Sequence, residues 1–393
     1  MASATVKGPE QNGSSPTPPP LLGGPKMSGE AEQQSGSPPA LTNLSCAQQA
    51  PNSPIEVDSL NTADDDDWDD GSASIVSSVL DYEFENGRRY HAYKAGHYPL
   101  PNDELELERL DLTHHVITLL LGGELFLAPL DQPRRILDIG TGTGLWAIEM
   151  ADRFPKALVV GTDLSPIQPT WVPENVRFEV DDVESEWLYR RSSFDYIHSR
   201  SMLGAISDWK KLAQNAFKHC RPGGYFEIQE LDCFVTSDDG THLRGDATNQ
   251  WTSMMKSAAR EYGRPVPRYY EYKPWLEEAG FINVKEYLFK IPFNTWPKNK
   301  QLKEVAKYNF VQYFEGCEGL CIGLFTRQLK WQLAEIQVLC AKFRSEIKDK
   351  SIHSYQHFVV VVGQKPDSGN FSRGSTPSSV FENVNISSPE SQA

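Results

Sequence analysis

A glycine-rich segment at residues 138–144 is the part of this sequence whose residue types and spacing point most clearly to chemistry. It reads D-I-G-T-G-T-G, comes directly after a predicted strand, and precedes a stretch with helical periodicity. A glycine turn bends tightly and lets its backbone approach a ligand closely, because glycine has no Cβ. The first N–H groups of the following helix lack partners within the helix and point to the same place. The segment therefore predicts a cofactor-binding turn.

The spacing of the glycines distinguishes two kinds of cofactor turn. A dinucleotide-binding turn reads G-x-G-x-x-G and holds a pyrophosphate at the helix N-terminus. Here the third glycine, Gly144, comes one residue early, and Leu145 takes the expected place. The observed G-x-G-x-G, with Asp138 two residues ahead of it, is similar to the pattern of class I S-adenosylmethionine-dependent methyltransferases. The same spacing disfavours a nicotinamide-dependent oxidoreductase.

Two carboxylates fall at the positions where such a fold would use them. Asp163 ends the second predicted strand, 23 residues after Gly140, where it can accept hydrogen bonds from both ribose hydroxyls. Asp182 follows the third predicted strand, where it can accept from the adenine amino group. The alternative for each acid is that it caps a helix or lies solvated in a loop.

Short apolar runs alternate with helical stretches through the middle of the chain, which predicts an α/β fold with a parallel sheet and crossover helices. Strands are predicted over 134–139, 157–161, 176–180, 194–198, 225–231, 283–291 and 355–362. Helices are predicted over 145–154, 209–219 and 272–279, and the R-P-G-G sequence at 221–224 is expected to end the second of them. The stretches 232–270, polar and helical, and 300–347, helical, interrupt this alternation.

Further motifs make the resemblance narrower. They are E-N-G-R-R-Y-H-A-Y at 85–93, G-T-D-L-S-P-I-Q-P at 161–169, W-V-P at 171–173 and F-D-Y-I-H-S-R at 194–200. With these motifs the chain resembles the fungal LaeA-like methyltransferases, which are related to the velvet-complex regulator of secondary metabolism. The resemblance covers about residues 74–365. It implies a Rossmann-like, seven-stranded, mostly parallel sheet with its last strand inserted antiparallel, helical cap insertions at about 232–270 and 300–347, and S-adenosyl-L-methionine as cofactor.

The resemblance also implies which residues contact the cofactor. The glycine turn is expected to lie against the methionine moiety, the two acids against ribose and adenine, and the end of the fourth strand on the reactive side. The residues expected to bind are Asp138, Gly140, Thr141, Gly142, Asp163, Leu164, Asp182, Val183, His198 and Arg88. No metal site is predicted, because Cys317 and Cys321 could share a helix face but have no second pair of ligands nearby.

Arg88 belongs to a segment that is expected to fold over the cofactor as a lid, together with Arg89, Tyr90 and Tyr93. A guanidinium matches a carboxylate in a bidentate manner, so Arg88 is the candidate partner of the methionine carboxylate. The alternative is a surface helix with ordinary ion pairs.

The catalytic residues stay unknown at this stage. Methyl transfer from a sulfonium is an in-line displacement in which positioning supplies much of the rate, and a carboxylate acceptor needs no base. The histidines that could serve a hydroxyl or amine acceptor by residue type are His114, His115, His198 and His242. Aromatic residues in the two cap stretches suit an apolar acceptor, and core packing is the alternative reading of them.

The chain has 393 residues and a formal charge of −15, which is unevenly distributed. Residues 1–70 hold two lysines against eleven acids, a net charge of −9, so the remaining 323 residues carry −6. Residues 1–72 are rich in proline and serine and predict a disordered acidic tail, and 366–393 predict a second disordered tail. The tail ends in a run of aspartates around Trp68, which is either solubilising or a docking segment.

Composition also bounds the location and the class of the protein. No apolar run reaches the roughly 18 to 20 residues of a membrane helix, and no secretory signal precedes the tail. Six irregularly spaced cysteines favour free thiols in a reducing compartment. We therefore expect an intracellular protein, cytoplasmic, nuclear or both, without membrane contact. The charge of −6 disfavours direct nucleic-acid binding.

Two functions remain open from the sequence. The first is a methyltransferase that acts on the carboxylate or hydroxyl of a small molecule, such as a secondary metabolite. The alternative is a LaeA-like regulator of secondary metabolism that acts through velvet-type protein partners, with or without protein methylation. A closed pocket beside the methyl group would favour the first, and an open groove the second.

Overall fold

The central feature of the structure, a computed structural model that describes residues 81–367, is a seven-stranded sheet. The strands in chain order are β1 (Glu83–Glu85), β2 (Arg88–Tyr90), β3 (Arg135–Ile139), β4 (Leu158–Asp163), β5 (Val176–Val180), β6 (Phe194–Arg200), β7 (Cys220–Thr236), β8 (Ile282–Pro292) and β9 (Tyr355–Gln364). The helices are α1 (Glu104–Leu120), α2 (Leu145–Arg153), α3 (Trp209–His219), α4 (Asp246–Glu261), α5 (Tyr272–Ala279), α6 (Lys300–Arg327) and α7 (Leu333–Glu346). The tails predicted over 1–72 and 366–393 lie outside the described residues, apart from residues 366 and 367.

The strand order in the sheet is β5-β4-β3-β6-β7-β9-β8. The first five strands pair in parallel, and β9 runs antiparallel between β7 and β8. Strand β6 is almost wholly buried because helices cover both faces of a parallel sheet. The predicted seven-stranded, mostly parallel sheet with an antiparallel last strand is confirmed.

The register between β3 and β6 places an aspartate next to a histidine. Asp138 of β3 lies directly beside His198 of β6. Strand β4 pairs with β3 on its other side, so that Asp163 ends at the same edge of the sheet. In an open parallel sheet this carboxyl edge, where the strand order reverses, is where ligands bind.

Three apolar cores hold the layers together. One contains Trp146 and Ile117 and packs α1 and α2 on the sheet. A second contains Leu212 and Leu276 and packs α3 and α5 on the opposite strand faces. The third contains Phe343 and joins the helices α4, α6 and α7, which form a helical cap inserted around β8 and before β9. Among the described residues, no helix is long and apolar enough to cross a membrane.

Strand β7 is longer than the sequence predicted. It spans Cys220–Thr236 rather than 225–231, because β9 pairs with it as far as Thr236, across a register shift between Leu231 and Val235. Its first residues include the R-P-G-G sequence, and α3 ends immediately before it at His219. The stretch 232–270 therefore begins as strand and turns helical only afterwards.

Residues 83–90, which include the start of the 85–93 motif, form a hairpin rather than a surface helix. Asn86 and Gly87 connect β1 to β2, and both have left-handed φ angles, 51° and 74°. Such a pair matches the right-handed twist of two antiparallel strands, which makes Asn-Gly a strong hairpin signal. This signal was present in the sequence, where the segment was interpreted as a lid or, alternatively, as a surface helix. The hairpin excludes the helix, and the lid stays a prediction.

Candidate active site

The glycines of the turn between β3 and α2 differ in what surrounds them. Gly140, Gly142 and Gly144 all have left-handed φ angles, +65°, +56° and +80°. A Cβ on Gly144 would lie 2.3 Å from the ring of Phe178, so this glycine is required by packing. A Cβ on Gly142 would meet only Leu110, at 3.7 Å, across open space. Gly142 is therefore the glycine that presents bare backbone to a cleft.

That cleft lies over the carboxyl ends of β3, β4 and β6. It encloses about 810 Å³ of space, part of it open to solvent. Its wall includes six of the predicted cofactor residues, namely Gly140, Gly142, Asp163, Leu164, Asp182 and Val183. We call it the cofactor cleft. Residues 97–102, just beyond the hairpin, contribute to its opposite wall.

Asp163 accepts two backbone hydrogen bonds in the cofactor cleft. Its Oδ2 accepts from the N–H of Gly142 at 2.9 Å, and its Oδ1 accepts from the N–H of Ser165 at 3.0 Å. Burial raises the pKa of this carboxyl to about 6, against the effect of these bonds. A carboxylate offers about four acceptor positions, so two remain for a ligand.

Asp182 lies at the other end of the cofactor cleft and is held by a cation. Lys94 Nζ lies 2.5 Å from its Oδ2, and Ser185 Oγ donates to the same oxygen at 3.0 Å. The N–H of Glu184 donates to Oδ1 at 2.9 Å. Burial raises the pKa of the Asp182 carboxyl, but the bonds from Lys94, Glu184 and Ser185 outweigh it and hold the pKa below its usual value.

Asp138 and His198 form a buried pair beneath the glycine turn. His198 Nδ1 lies 2.7 Å from Asp138 Oδ1, and Thr141 Oγ donates to Asp138 Oδ2 at 2.6 Å. The imidazole stacks on the indole of Trp146, with ring centroids 3.7 Å apart. Burial lowers the pKa of His198 to about 4, so the ring is neutral and donates its Nδ1–H to Asp138. Its Nε2 has no partner within residues 81–367.

A smaller cavity of about 470 Å³ adjoins the cofactor cleft at this pair. Asp138, Thr141 and His198 line it, and Gly140 and Gly142 line both spaces. Nine of the ten predicted cofactor residues therefore meet around one continuous site.

Arg88 is the predicted residue that the structure does not bring to this site. Its Nε and Nη2 bind Asp103 Oδ2 and Oδ1 at 2.5 Å and 2.7 Å. It lies against Gly319 of α6 and lines a different surface cavity. Asp103 is also the N-cap of α1, so this pair fastens the hairpin to the start of α1.

Arg200, at the end of β6, is the cation that lines both the cofactor cleft and the smaller cavity. Its guanidinium donates to Gln229 Oε1 and to the carbonyl of Leu125, and its Nη1 lies 3.0 Å from His114 Nδ1. All of these partners are neutral, since burial lowers the pKa of His114 to about 4. Burial also lowers the pKa of Arg200 to about 10, which leaves it charged at neutral pH.

A third cavity, of about 950 Å³ including open space, lies beneath the helical cap. We call it the cap cavity. Tyr98 and Ser201 line both it and the cofactor cleft, so the two spaces adjoin. All five of the cap aromatics Trp251, Tyr262, Phe310, Tyr313 and Phe314 belong to the third apolar core, and two of them, Trp251 and Tyr313, also line the cap cavity.

Ser201 is a site residue that the sequence did not reveal. It lines the cofactor cleft, the smaller cavity and the cap cavity. Its φ is 56°, a left-handed angle that costs a non-glycine residue energy and is concentrated at functional sites. Its Oγ is buried without a partner in the described part of the chain. Its neighbours at 194–200 were expected on the reactive side, but nothing in the residue type of Ser201 extends that expectation to it.

The four histidines considered from the sequence separate into two groups. His114 and His198 line the smaller cavity. His115 is exposed and packs edge-on against Tyr308, and His242 lies near Ser237 in the turn after β7. Within residues 81–367, no cluster of three or more histidine, cysteine or acidic residues is placed to hold a metal ion.

Comparison with known proteins identifies the family. A family model described as "Methyltransferase domain" matches residues 112–286. Methyltransferase pytC of Aspergillus terreus is 45% identical over 328 residues, which cover 83% of this chain and 100% of pytC. Secondary metabolism regulator LAE1 of Cochliobolus heterostrophus is 35% identical over 290 residues, covering 72% of this chain and 94% of LAE1.

The chain belongs to the family of LaeA-like methyltransferases. Secondary metabolism regulator laeA of Monascus pilosus is 39% identical over 287 residues, which cover 72% of this chain and 77% of that protein. Among solved structures, phosphoethanolamine N-methyltransferase 2 of Haemonchus contortus, in complex with S-adenosyl-L-methionine, is 20% identical, with a TM-score of 0.40. That match covers 66% of this LaeA-like chain and 52% of the solved protein.

Proposed function

We propose that this LaeA-like methyltransferase transfers a methyl group from S-adenosyl-L-methionine to a small molecule bound in the cap cavity. The observation that carries the proposal is the junction at Ser201, where the cofactor cleft meets a largely apolar cavity beneath the cap. Small-molecule sites are mostly apolar and concave, with a few placed polar groups. A concave, largely apolar cavity of this kind suits a small acceptor better than a protein surface.

The residues of the cofactor cleft fit S-adenosyl-L-methionine. Asp163 would accept from the ribose hydroxyls with its two remaining acceptor positions, and Leu164 would lie against the adenine ring. Asp182 and Val183 would border the adenine. The bare backbone of Gly142, which a Cβ would extend toward Leu110, suits close approach of the ligand.

The remaining contacts concern the methionine moiety, which Gly140, Thr141 and Gly142 would hold. Asp138 and the neutral His198 would support the turn from below. Because Arg88 already forms a bidentate ion pair with Asp103, we propose that Arg200 pairs with the methionine carboxylate. Arg200 is a partly buried cation whose hydrogen-bond partners are all neutral, so a ligand carboxylate would be its one directly paired anion.

When bound, the cofactor supplies an electrophilic methyl group on a sulfonium. The protein's own contribution is to hold the acceptor oxygen in line with that methyl and to exclude water. Ser201 Oγ is placed to donate to, or accept from, the acceptor oxygen at the junction. No carboxylate or histidine is assigned as a base here, and the proton of a hydroxyl acceptor would leave to solvent along the cofactor cleft.

The second candidate function is a regulator that acts through velvet-type protein partners. It is supported by the similarity to the relatives named LAE1 and laeA, which are secondary metabolism regulators. The five cysteines between residues 81 and 367 carry free thiols, which supports a reducing location in the cytoplasm or the nucleus for either function.

Calorimetric titration with S-adenosyl-L-methionine and with S-adenosylhomocysteine tests the proposal. Wild type should bind both in the micromolar range, and Asp163→Ala and Gly142→Asp should abolish binding. Two controls outside the cleft should retain it. Asp152→Ala removes an exposed acid of α2, and Gly122→Asp imposes the same left-handed strain at φ 71°. Absence of binding by folded wild type would overturn the enzyme proposal.

Transfer of label from methyl-labelled S-adenosyl-L-methionine into a fungal extract then separates the two functions. Label in the small-molecule fraction supports the enzyme. Label confined to protein, or a regulatory effect that survives Asp163→Ala, supports the regulator.

A further inference from the structure

The polar atoms in the wall of the cap cavity are the starting point for a statement about the acceptor. Most of them are already satisfied within the protein. Gln312 accepts from Thr113 and donates to Asn309, and Thr252 donates to the carbonyl of Thr248. Buried polar groups are normally paired in this way, so each exception calls for a physical reason.

Among the described residues, one cation, Arg109, lines the cap cavity, and it is already neutralised. Arg109 binds Glu106 through two hydrogen bonds, from Nε at 3.0 Å and from Nη2 at 2.7 Å. Its Nη1 donates to Thr113 Oγ. Since this guanidinium has its counter-charge, the cavity as described offers no free cation to an anionic ligand. Burying an unpaired carboxylate there would be strongly unfavourable, because no opposite charge would offset the loss of its hydration.

Two residues of the wall carry N–H donors that are exceptions. Trp251 Nε1 and Gln356 Nε2 are buried and have no partner in the described part of the chain. Both residues line the cap cavity and are nearly inaccessible, at 5% and 2% exposed. Tyr313 connects them, because its ring packs against Trp251 and its hydroxyl donates to Gln356 Oε1 at 2.8 Å. That bond occupies the amide oxygen and leaves the NH₂ group as the free end.

We infer that the cap cavity binds a neutral, largely aromatic acceptor that carries a carbonyl oxygen, and that Trp251 Nε1 and Gln356 Nε2 donate to that oxygen. This inference rests on the proposed function and narrows it from a carboxylate or hydroxyl acceptor to a hydroxyl acceptor. The hydroxyl would lie at Ser201, where the cap cavity meets the cofactor cleft. The carbonyl would lie against the Trp251 and Gln356 donors, between aromatic walls that include Tyr313 and Phe293.

The unpaired donors would let the cap cavity distinguish acceptors of the same shape by whether they carry a carbonyl oxygen. A site built to hydrogen-bond one group rejects an analogue that lacks it, because its own buried polar atoms are then left unpaired. Both free N–H groups belong to residues of the cap and of β9 rather than to the cofactor cleft, so they can act on the acceptor alone.

Matched probes test the inference directly. The first pair is para-hydroxybenzophenone and para-benzylphenol, which differ only in that a carbonyl replaces a methylene. The second pair is para-hydroxyacetophenone and para-hydroxybenzoate, which differ in charge. Dissociation constants would be measured by calorimetry on the full chain, with and without saturating S-adenosylhomocysteine. Wild type should bind the benzophenone about tenfold more tightly than its methylene analogue, as expected for one or two buried hydrogen bonds.

The variants then assign that preference to the two donors. Trp251→Phe removes one N–H with little change of shape and should reduce the preference to about threefold or less, and Gln356→Met should do the same. Trp296→Phe is the matched control, because Trp296 Nε1 already donates to the carbonyl of Ser354. It should leave the preference unchanged. Thermal melts would verify that each variant is folded.

The outcomes distinguish this inference from the proposed function. An equal affinity of wild type for the benzophenone and its methylene analogue overturns the inference, and would be the result if a buried water satisfied both donors. A preference unaffected by Trp251→Phe, tighter binding of para-hydroxybenzoate, or no binding of any probe also overturns it. Failure of S-adenosylhomocysteine to bind, by contrast, counts against the proposed function and is read from its own titration.

Discussion

Lys94 Nζ lies 2.5 Å from Asp182 Oδ2, so a lysine just beyond the hairpin is tied to the loop that follows β5. The same nitrogen donates to Ser185 Oγ at 2.6 Å. Further along the same segment, Asn102 Nδ2 donates to Ser165 Oγ at 3.3 Å. Residues 94–102 are therefore fastened across the cofactor cleft at two places, as expected of a covering segment.

Breaking the first of these ties should weaken cofactor binding. Lys94→Met removes the ion pair and should raise the dissociation rate of S-adenosylhomocysteine about two- to tenfold, since the partly exposed pair is worth about 1 kcal/mol. Stopped-flow fluorescence measures that rate. Lys210→Met, which removes an exposed pair with Glu278 outside the cleft, should leave it unchanged. A slower release from Lys94→Met would contradict the role of Lys94 as a fastener and show instead that it competes with the adenine for Asp182.

Arg200 and Arg88 should differ in their effect on the methionine carboxylate. Arg200→Met should weaken binding of S-adenosyl-L-methionine about 10- to 100-fold, the range for a lost charged hydrogen bond, and leave binding of its decarboxylated analogue almost unchanged. Arg88→Met should not alter the ratio of the two affinities, because Arg88 pairs with Asp103. Competition binding with the two ligands gives both ratios. If Arg88→Met changed the ratio of the two affinities and Arg200→Met did not, Arg88 would be the partner of the methionine carboxylate.

Cofactor affinity should decrease in mildly acidic solution. The pKa of Asp163 is raised to about 6, and only the ionised carboxylate can accept from both ribose hydroxyls while it accepts from Gly142 and Ser165. As the pH falls through 6 the carboxylate is protonated, and at pH 5 about a tenth of it stays ionised. Binding at pH 5 should therefore be about tenfold weaker than at pH 7.5. Calorimetry across this range checks it, and Asp163→Asn should bind weakly at every pH with no such step.

Gly144 and Gly142 should respond differently to the same substitution. Gly144→Ala places a methyl within the ring of Phe178 at a left-handed φ, and should lower the free energy of unfolding by about 2 kcal/mol or more. Gly142→Ala carries the left-handed strain alone, at about 1 kcal/mol, and should chiefly weaken cofactor binding. Urea denaturation and cofactor titration separate the two effects. Phe178→Ala should lessen the penalty of Gly144→Ala if the clash is its cause.

Substitutions of Ser201 should change the free energy of unfolding and the rate of methyl transfer in different ways. Ser201→Gly relieves the left-handed backbone and should be more stable than Ser201→Ala by about 1 kcal/mol, since both lose the hydroxyl but only glycine tolerates φ 56°. Urea denaturation measures that difference. Both variants should lower the rate of label transfer to small molecules while they retain S-adenosylhomocysteine binding. Full transfer by Ser201→Ala would exclude its hydroxyl from the reaction.

Local pattern was enough to predict the parallel strands and the glycine turn, whereas the antiparallel last strand and the individual cofactor contacts were implied by the family resemblance. The alternation of apolar runs with helical stretches, and the glycine spacing at 140–144, depend on neighbours in the chain. The positions of Asp163 and Asp182 follow from them, because the ends of successive parallel strands meet at one edge. The seven-stranded topology and the family are confirmed, whereas binding by the predicted cofactor residues stays a prediction for the titrations above.

The hairpin shows where the reasoning was incomplete although the signal was local. Asn86-Gly87 predicts a two-residue turn, yet the segment was interpreted from its arginines. The pairing of Arg88 with Asp103, 15 positions away, depends on how the hairpin packs on the start of α1, and no sequence period encodes that contact.

The sequence by itself thus determined the parallel strands with their crossover helices, the glycine turn and the two acids at the strand ends, because those depend on backbone conformation and on short-range periodicity. Only the tertiary structure decided which arginine at the site has neutral hydrogen-bond partners, that Ser201 lies where three cavities meet, and that two N–H groups of residues lining the cap cavity lack partners within residues 81–367. These properties are set by side chains that are distant in sequence and compete for the same partners. Whether a buried group is satisfied depends on packing, which the order of residues alone does not reveal.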